Sequence, residues 1–362
     1  MDKDDKGKLY LFVYNDILNK IRSGHYRPGD KLPTEMELSD LYSVSRVTAR
    51  RSLAMLENIN LIYRIKKSGT FVNGKKNASS AQRIIPVILP YEETLDIGIV
   101  EGAQNYGLLY NCFTPFFNSG NSAVKEREIL SNILNMDVDG LICYPCSIYD
   151  NLDIFAQYKR LGIPVVMLDH GIDGFKAPLV CCDNEAGIMQ VMNDLIARGH
   201  RDIAFFYVTE QMISSERERL RSYLEALIRH DFSVRNDFIF HLPLLSYDKN
   251  LSHIKQSQFF RKSVDVFVAD LAQRKELPTA ICCVNDVSAN TLSLALKKNG
   301  DPRFSEIEIT GFDNLYNGAF LTVQQDFHAL GSTAVRTALD MLDGKSVPDT
   351  LYTAVELVEK RR

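Results

Sequence analysis

From residue 84 onward, short apolar runs alternate with amphipathic stretches. The apolar runs include IIPVILP, LLYNCFTP, VDGLICYPC, IPVVMLDH, DIAFFYV, AICCVND and IEITGFD. Runs of this length predict buried strands, and the amphipathic stretches between them predict helices. The alternation is typical of an α/β fold whose parallel sheets are covered on both faces. The strands fall into two groups that are connected near Cys181–Asp183, which predicts two lobes with a cleft.

The first 73 residues have a different pattern, which predicts three helices. Apolar residues at helical spacing fill positions 10–23. Thr34 is a favourable N-cap for a second helix, and Glu37 follows it at the spacing of a capping box. Ser45 is a favourable N-cap for a third helix. The turn between the second and third helices is short, so the segment has the order of a helix-turn-helix unit.

The third helix and the segment after it complete this unit. Leu53 and Leu56 lie one helical turn apart, and the apolar Val47 is expected to join them in a buried stripe. The run YRIKKSGTFV alternates in polarity around Ser68–Gly69, which is the pattern of a β-hairpin. A helix-turn-helix followed by a hairpin predicts a winged DNA-binding domain.

Basic residues are placed where such a domain would meet DNA. Arg46 and Arg50 are four residues apart, so both point from one face of the third helix. An arginine in the major groove can donate two hydrogen bonds to a guanine, and Lys66 and Lys67 on the hairpin would meet phosphate. Each arginine taken alone is better explained by a solvated basic helix of an ordinary helical domain than by DNA binding. Spacing, caps and hairpin together favour DNA binding.

The same segment closely resembles the winged helix of GntR-type bacterial repressors. Their pattern is G-x-x-x-P-G-x-x-L-P-[ST]-E, then S-R-x-T-x-R-x-[AS]-L, then G-x-G-T-[FY]-V. This chain has GHYRPGDKLPTE, SRVTARRSL and KSGTFV, with Ser68 where the family often has glycine. We predict that the DNA contacts lie within these segments. The predicted residues are Lys31, Thr34, Glu35, Ser45, Arg46, Thr48, Arg50, Arg51, Lys66, Lys67 and Gly69.

Length and charge support a division of the chain into domains. A chain of 362 residues is too long for one ordinary core. Residues 1–75 contain fourteen Lys and Arg against nine Asp and Glu, a net charge of +5, which leaves −9 for the remainder. A basic head on an acidic body suits DNA contact through the head alone. We predict a winged helix-turn-helix domain at 1–73, a polar linker at 74–83 and an effector-binding domain at 84–362.

The effector-binding domain is predicted to have two lobes. Lobe 1 spans about 84–182 and 327–345, and lobe 2 spans about 183–326 and 346–362. No apolar run is long enough to span a membrane, and the polar N-terminus does not resemble a signal peptide. We therefore expect a cytoplasmic protein with no membrane association.

The seven cysteines mostly lie in apolar, strand-like runs, so they are expected to be reduced core thiols. Cys143 and Cys146 have C-x-x-C spacing, which leaves a redox role open. A zinc site would need two further ligands, and none is obvious. We predict no metal and no cofactor.

Ligands of parallel sheets bind beyond the carboxyl ends of the strands. Several polar residues stand there, for example Asp169 after VVML and Asp313 after ITGF. Carboxylate and amide oxygens accept hydrogen bonds from hydroxyl groups, so such residues suit a sugar, and Tyr91, Tyr207 or Tyr247 could cover its apolar face. A single aspartate at such a position is more often a helix cap, and Asp183 is read as one.

The body resembles the effector domain of LacI/GalR repressors, which is related to periplasmic sugar-binding proteins. The matching runs are GIPVVMLDH, VCCDNEAGIMQVMNDLIARGHRDIAFF, RERLRSYLEAL, VNDVSANTLSLALKKNG, ITGFDN and LTVQQDFHALGSTAV. Ser222 replaces a common glycine in the third run, and 235–265 match poorly. The resemblance implies effector contacts at Asp169, Arg219, Asn285, Asp313 and Gln325, with lower weight for the neighbours His170 and Asp286.

A GntR-like head joined to a LacI-like body implies a transcription regulator. We expect a homodimer that represses carbohydrate-use genes from a palindromic operator and is released by a small sugar, arabinose or similar. A purine or a sugar phosphate remains an alternative effector, since Arg217, Arg219 and Arg221 could form a basic cluster, and an activator remains an alternative to a repressor. The sequence has no G-x-S-x-G, Walker loop or G-x-G-x-x-G, so we do not expect an enzyme.

Overall fold

The computed structural model describes residues 6–22, 25–27, 29–58, 61–65, 68–73, 82–90, 95–208, 212–242, 253–316 and 319–359. The chain folds into two units. The first comprises Met1–Arg83 and Gln104–Phe113, and the second comprises Ile84–Ala103 and Thr114–Arg362. No helix among the described residues is long and apolar enough to span a bilayer.

The first unit contains the predicted helices and hairpin. They are α1 (Lys6–Arg22), α2 (Glu35–Tyr42), α3 (Arg46–Asn58), β1 (Ile62–Ile65) and β2 (Gly69–Val72). Both caps have the expected geometry. Thr34 Oγ1 accepts from the Glu37 N–H at 3.2 Å, and the Thr34 N–H donates to Glu37 Oε2 at 2.7 Å. Ser45 Oγ accepts from the Thr48 N–H at 3.1 Å. These bonds satisfy donors that a helix start leaves without partners.

The core of this unit differs from the predicted stripe at one position. Leu53 and Leu56 are buried as expected, together with Ala49, but Val47 is 71% exposed, so its place in the stripe was wrong. The strands β1 and β2 pair antiparallel, with Ile65 opposite Gly69, which confirms the hairpin.

The remaining elements lie mainly in the second unit, while Arg83, the end of the helix Leu95–Leu109 after residue 103 and the short strand Cys112–Phe113 belong to the first. The strands of the second unit, with two short ones near the boundary, are β3 (Arg83–Ile84), β4 (Val87–Leu89), β5 (Cys112–Phe113), β6 (Phe116–Asn118), β7 (Leu141–Cys143), β8 (Val165–Leu168), β9 (Leu179–Cys182), β10 (Ile203–Val208), β11 (Ile239–Leu242), β12 (Ala280–Cys283), β13 (Glu308–Thr310), β14 (Thr322–Gln325), β15 (Thr350–Thr353) and β16 (Val355–Val358). Its helices, the first of which crosses the boundary, are α4 (Leu95–Leu109), α5 (Ala123–Leu134), α6 (Leu152–Arg160), α7 (Asn184–Ala197), α8 (Ser214–Arg229), α9 (His253–Leu271), α10 (Asp286–Asn299) and α11 (Phe327–Leu342).

Two parallel sheets organise this unit, as the alternating pattern predicts. One has six strands in the order β15-β9-β8-β7-β4-β6, and the other has four in the order β11-β10-β12-β13. In β10 the adjacent residues Phe205 and Phe206 are fully buried in different apolar clusters. Neighbouring side chains of a strand point to opposite faces, so both faces of the second sheet are covered.

The course of the chain differs from the prediction in two places. The strand expected in LLYNCFTP is shortened to β5, because α4 continues to Leu109 and the chain then turns through Asn111 at φ 53°. β5 pairs with β3, and the six-stranded sheet contains β6 instead. The segment 346–362 was assigned to lobe 2, but β15 pairs with β9 in the six-stranded sheet and only β16 joins β14. That part of the lobe assignment is corrected.

Candidate functional site

The exposed face of α3 carries most of the predicted DNA-binding residues. Arg46, Arg50 and Arg51 are all exposed. Arg46 Nη2 lies 3.1 Å from the Met36 sulfur of α2. The Arg51 guanidinium stacks 4.0 Å from the centre of the Tyr10 ring. Arg51 therefore also packs α3 against α1, whereas Arg46 lies on the solvent-exposed face of α3.

Glu35 links α3 to the hairpin. Its two carboxylate oxygens accept from Arg50 Nε and from Arg64 Nη1, each at 3.0 Å. Arg64, on β1, also pairs with Glu57 at 2.8 Å. Partial burial would raise the pKa of Glu35, but the two guanidinium groups hold it below its ordinary value. Glu35, predicted as a DNA contact, thus orients one predicted contact, Arg50, beside the hairpin arginine Arg64.

The other predicted DNA contacts have varied environments. Thr34 and Ser45 serve as helix caps, and the hydroxyl groups of Ser45 and Thr48 share a hydrogen bond of 2.7 Å. Gly69 has φ 130°, a backbone conformation that favours glycine. The roles of these residues as DNA contacts stay predictions. Lys66 and Lys67 lie outside the described residues.

A cavity of about 280 Å³ lies at the carboxyl ends of strands from both sheets. Its walls bring together six of the eight predicted effector residues. They are Asp169, His170, Arg219, Asn285, Asp313 and Gln325. Tyr91 lies outside the described residues. The convergence follows from the parallel strands, which end at the same edge of each sheet.

Arg219 is the central cation of this cavity and is only 4% exposed. Its Nε donates to Asn184 Oδ1 at 2.7 Å, and its Nη1 donates to the Val284 carbonyl at 2.8 Å. Its Nη2 lies 3.8 Å from Asp313 Oδ1, and the guanidinium stacks 3.7 Å from the centre of the Phe312 ring. Two of its five N–H groups therefore donate to protein acceptors, and its charge faces Asp313.

Asp313 faces Arg219 from an unusual backbone conformation. Its φ is 115° and that of Asn314 is 54°, both in the left-handed region. Gln325 Nε2 donates to Asp313 Oδ1 at 2.6 Å. Burial raises the pKa of Asp313, while the charge of Arg219 opposes the rise.

Asp169 and His170 form the opposite wall. Asp169, also at positive φ (62°), accepts from Ser215 Oγ at 2.9 Å and lies 3.2 Å from His170 Nδ1. His170 Nε2 is buried and has no hydrogen-bond partner within the described part of the chain. The His170 ring also meets Tyr144 edge-on, with 5.3 Å between ring centres. Nε2 is thus a free polar atom in the wall of the cavity.

Asp286 does not line the cavity, which corrects its prediction as an effector contact. It is fully buried. One carboxylate oxygen accepts from Thr322 Oγ1 at 2.6 Å, and the other accepts from the Leu315 N–H at 2.7 Å. Asp286 therefore holds the loop that carries Asp313. Asn285 lines the cavity, but its Oδ1 also caps α10 by accepting from the Ser288 N–H at 2.8 Å.

Comparison with known proteins identifies both parts of the chain. Residues 9–72 match the family model of bacterial regulatory proteins of the gntR family. Residues 192–361 match a periplasmic binding protein-like domain. The chain is a two-domain transcription regulator. It combines a GntR-type head with a LacI-type body, which confirms the predicted fold class.

The whole regulator has similar relatives. It is 28% identical over 354 residues to an arabinose metabolism transcriptional repressor of Geobacillus stearothermophilus, which covers 93% of this chain and 92% of the relative. Its fold is similar to that of the transcription regulator CcpA of Lactococcus lactis, with a TM-score of 0.63, 21% identity and coverage of 78% and 99%. A ribose-bound LacI family regulator of Enterococcus faecium gives a TM-score of 0.59 at 20% identity, with coverage of 77% and 97%.

Several residues of the regulator's cavity were missed by the sequence analysis. They are chiefly Tyr144, Cys146, Ser215 and Glu216. Glu216 precedes Arg219 by three residues on α8, so the helical neighbour rule could have found it. Burial raises the pKa of Glu216 to about 6. Tyr144 follows β7 directly, so the rule that ligands bind beyond the carboxyl ends of strands could have found it.

The two cysteines with C-x-x-C spacing have environments that disfavour thiolates. Cys143 is fully buried, and Cys146 Sγ shares a hydrogen bond of 3.1 Å with Ser119 Oγ. Burial raises the pKa of both thiols, and the nearby Glu126 carboxylate raises it further. Since the thiolate is the reactive form, these positions suit structural thiols better than a redox pair.

Proposed function

We propose that this regulator is a cytoplasmic homodimer that represses carbohydrate-use genes and is released from its operator by a small neutral sugar, arabinose or similar, bound in the cavity. The relative from Geobacillus stearothermophilus is named as a repressor of arabinose metabolism and aligns over almost the whole chain. Arabinose is therefore the first effector to test. The proposal includes no catalytic activity.

The single observation that carries the choice of effector is the charge of the cavity wall. Three acidic residues line it, Asp169, Glu216 and Asp313, against one arginine, and burial raises the pKa of Asp313 to about 8. Carboxylate oxygens accept hydrogen bonds from hydroxyl groups, whereas a phosphate would meet like charge. A volume of about 280 Å³ is at the small end of the range for ligand pockets, which suits a monosaccharide.

A sugar phosphate was an alternative effector because three arginines could form a basic cluster. Their positions in the structure do not support this alternative. Arg217 and Arg221 do not line the cavity. Arg217 donates to the Met212 carbonyl at 3.1 Å, and Arg221 pairs with the exposed acid Glu225 at 3.5 Å. Arg219, the arginine that lines the cavity, already donates to Asn184 and to the Val284 carbonyl and faces Asp313. A phosphate would therefore have to displace existing contacts.

Release from DNA would follow from linkage between the two sites. Asp169 follows a strand of one sheet, while Asn285 and Asp313 follow strands of the other. A sugar that bonds to both sides favours the arrangement in which they lie close together. If the operator-bound dimer favours another arrangement, each ligand weakens the other by the same factor.

The test is thermal melting of the purified full-length protein with L-arabinose, other pentoses and hexoses, their phosphates, and purines. A ligand at 100 times its Kd adds about 2.7 kcal/mol to the free energy of unfolding if it binds only the folded state. We expect a rise in Tm with a free sugar, absent in Asp313→Ala and absent for the matching phosphate. A rise only with a phosphate or a purine would refute the proposed effector class.

A further inference from the structure

Val47 is the most exposed large apolar side chain among the described residues of the head. It is an apolar side chain that is 71% exposed, at the second position of α3. Residues of an α-helix are rotated by about 100° each, which places Val47 on the opposite side from the buried Ala49 and Leu56. It therefore occupies the middle of the solvent face of the helix.

Folding of the head gives no reason for a valine there. A β-branched residue loses side-chain freedom in a helix, and valine is less favourable than alanine by up to about 0.7 kcal/mol. A side chain that is 71% exposed also recovers little from burial. The valine is better explained by a contact made outside the chain.

The charges around Val47 indicate the kind of partner. Arg50 and Arg51 follow it by three and four residues, so they share its face, and Arg46 precedes it directly. All three arginines are exposed. A partner for this surface must be strongly negative and must offer an apolar group among its acceptors. The major groove of duplex DNA does so, because thymine carries its 5-methyl group there.

We propose that Val47 is a base-specificity residue, which packs its isopropyl group against the 5-methyl group of a thymine in each operator half-site. The proposal rests on the proposed DNA binding of the head. Arg46 would read a guanine edge by hydrogen bonds, and Val47 would add a contact that hydrogen bonds cannot supply. The exposed Met36, in contact with Arg46, enlarges the apolar surface on this side of the head.

The experiment begins with selection of bound duplexes from a random DNA library by the full-length protein, which gives the preferred sequence. Each thymine in that sequence is then replaced by uracil, which removes only the 5-methyl group. For the wild type we expect one thymine per half-site whose replacement weakens binding about three- to tenfold, as burial of one methyl group suggests. The other thymines should change affinity much less.

Variants assign this effect to the residue. Val47→Ala should bind the thymine and uracil duplexes equally well, and Val47→Thr, which keeps the branched shape, should retain part of the preference. Leu41→Ala removes an exposed apolar side chain (60% exposed) from α2 and is the matched control, with the preference intact. Unchanged Tm values would show that each variant is folded.

Three outcomes would overturn the proposal. The first is tolerance of uracil at every position. The second is a full preference for thymine in Val47→Ala, which would assign the methyl contact to another residue. In both cases a selected consensus would leave DNA binding by the head intact. If no consensus is selected at all, specific DNA binding itself fails, and the role of Val47 fails with it.

Discussion

Replacement of Arg219 tests whether the cavity is built around one buried cation. Arg219→Met keeps an apolar stem above Phe312 but removes the guanidinium. The Val284 carbonyl and Asn184 Oδ1 then lose the donors that reach them at 2.8 and 2.7 Å. Asp313, whose side chain is only 10% exposed, loses its nearby positive charge.

The size of the effect can be worked out from these contacts. Burial raises the pKa of Asp313 to about 8, so the unfolding is measured at pH 9, where the carboxylate is ionised. There, removal of one partner of the buried ion pair costs about 3–5 kcal/mol, because the other charge is left without compensation. For a unit of this size that corresponds to a fall in Tm of roughly 6–20 °C. Arg221→Met is the matched control: it lies two residues further on the same helix, with a side chain 58% exposed. Loss of its surface pairs should cost less than about 1 kcal/mol.

The assay is thermal and urea unfolding of both variants and of the double variant Arg219→Met with Asp313→Asn. The second substitution removes the uncompensated carboxylate, so it should restore about 0.5–3 kcal/mol of the free energy of unfolding. If Arg219→Met melts within about 2 °C of Arg221→Met, the reasoning from burial is wrong. If Asp313→Asn restores nothing, Asp313 and Arg219 do not interact as ions.

Three further predictions concern the two proposed sites. Asp313→Asn should leave operator affinity unchanged but abolish release by the sugar, measured by gel shift with and without the effector; release at the wild-type sugar concentration would show that the pocket is misplaced. Arg46→Ala should weaken operator binding by roughly 1–3 kcal/mol and relax base preference in competition binding, whereas an equal loss on random DNA would make it a phosphate contact. Because burial raises the pKa of Glu216 to about 6, its contribution to stability is complete below about pH 4.5 and is lost as pH rises through 6. Glu216→Gln should therefore gain about 1–2 kcal/mol relative to wild type between pH 4.5 and 7, and parallel stability curves in urea titrations would contradict this.

The cavity could be placed from the sequence because it depends on topology. Asp169 directly follows β8, and Asn285 lies two residues beyond the end of β12. Parallel strands bring such positions to one edge, whatever the details of the side chains. Arg219 came from resemblance rather than from pattern, since nothing in the periodicity of α8 separates it from Arg217 and Arg221. Only tertiary packing shows which of the three is buried.

Side-chain direction was the part that the sequence could not predict. Asn285 and Asp286 are adjacent and both polar, yet one lines the cavity and the other is turned into the loop behind it. The prediction placed Val47 in the core because it is apolar. Its position around the helix axis, opposite Leu56, would have placed it on the solvent face. The assignment of β15 failed for a different reason: a short strand near the chain end can pair with either sheet, and pairing depends on contacts distant in sequence.

The misassigned Asp286 also explains how the cavity keeps its geometry. Asp313 has a φ of 115°, a conformation that is costly for a residue with a side chain and persists only where the surroundings impose it. The Asp313 N–H donates to the Val323 carbonyl at 2.7 Å on one side of the strained residue. On the other side, Asp286 accepts from the Leu315 N–H and so fixes the chain two residues later. Gly311 allows this arrangement, because a Cβ there would lie 2.1 Å from Asp286 Oδ1. If the proposed effector contacts Asp313, Asp286 would act on it through the position of Asp313, without contact of its own.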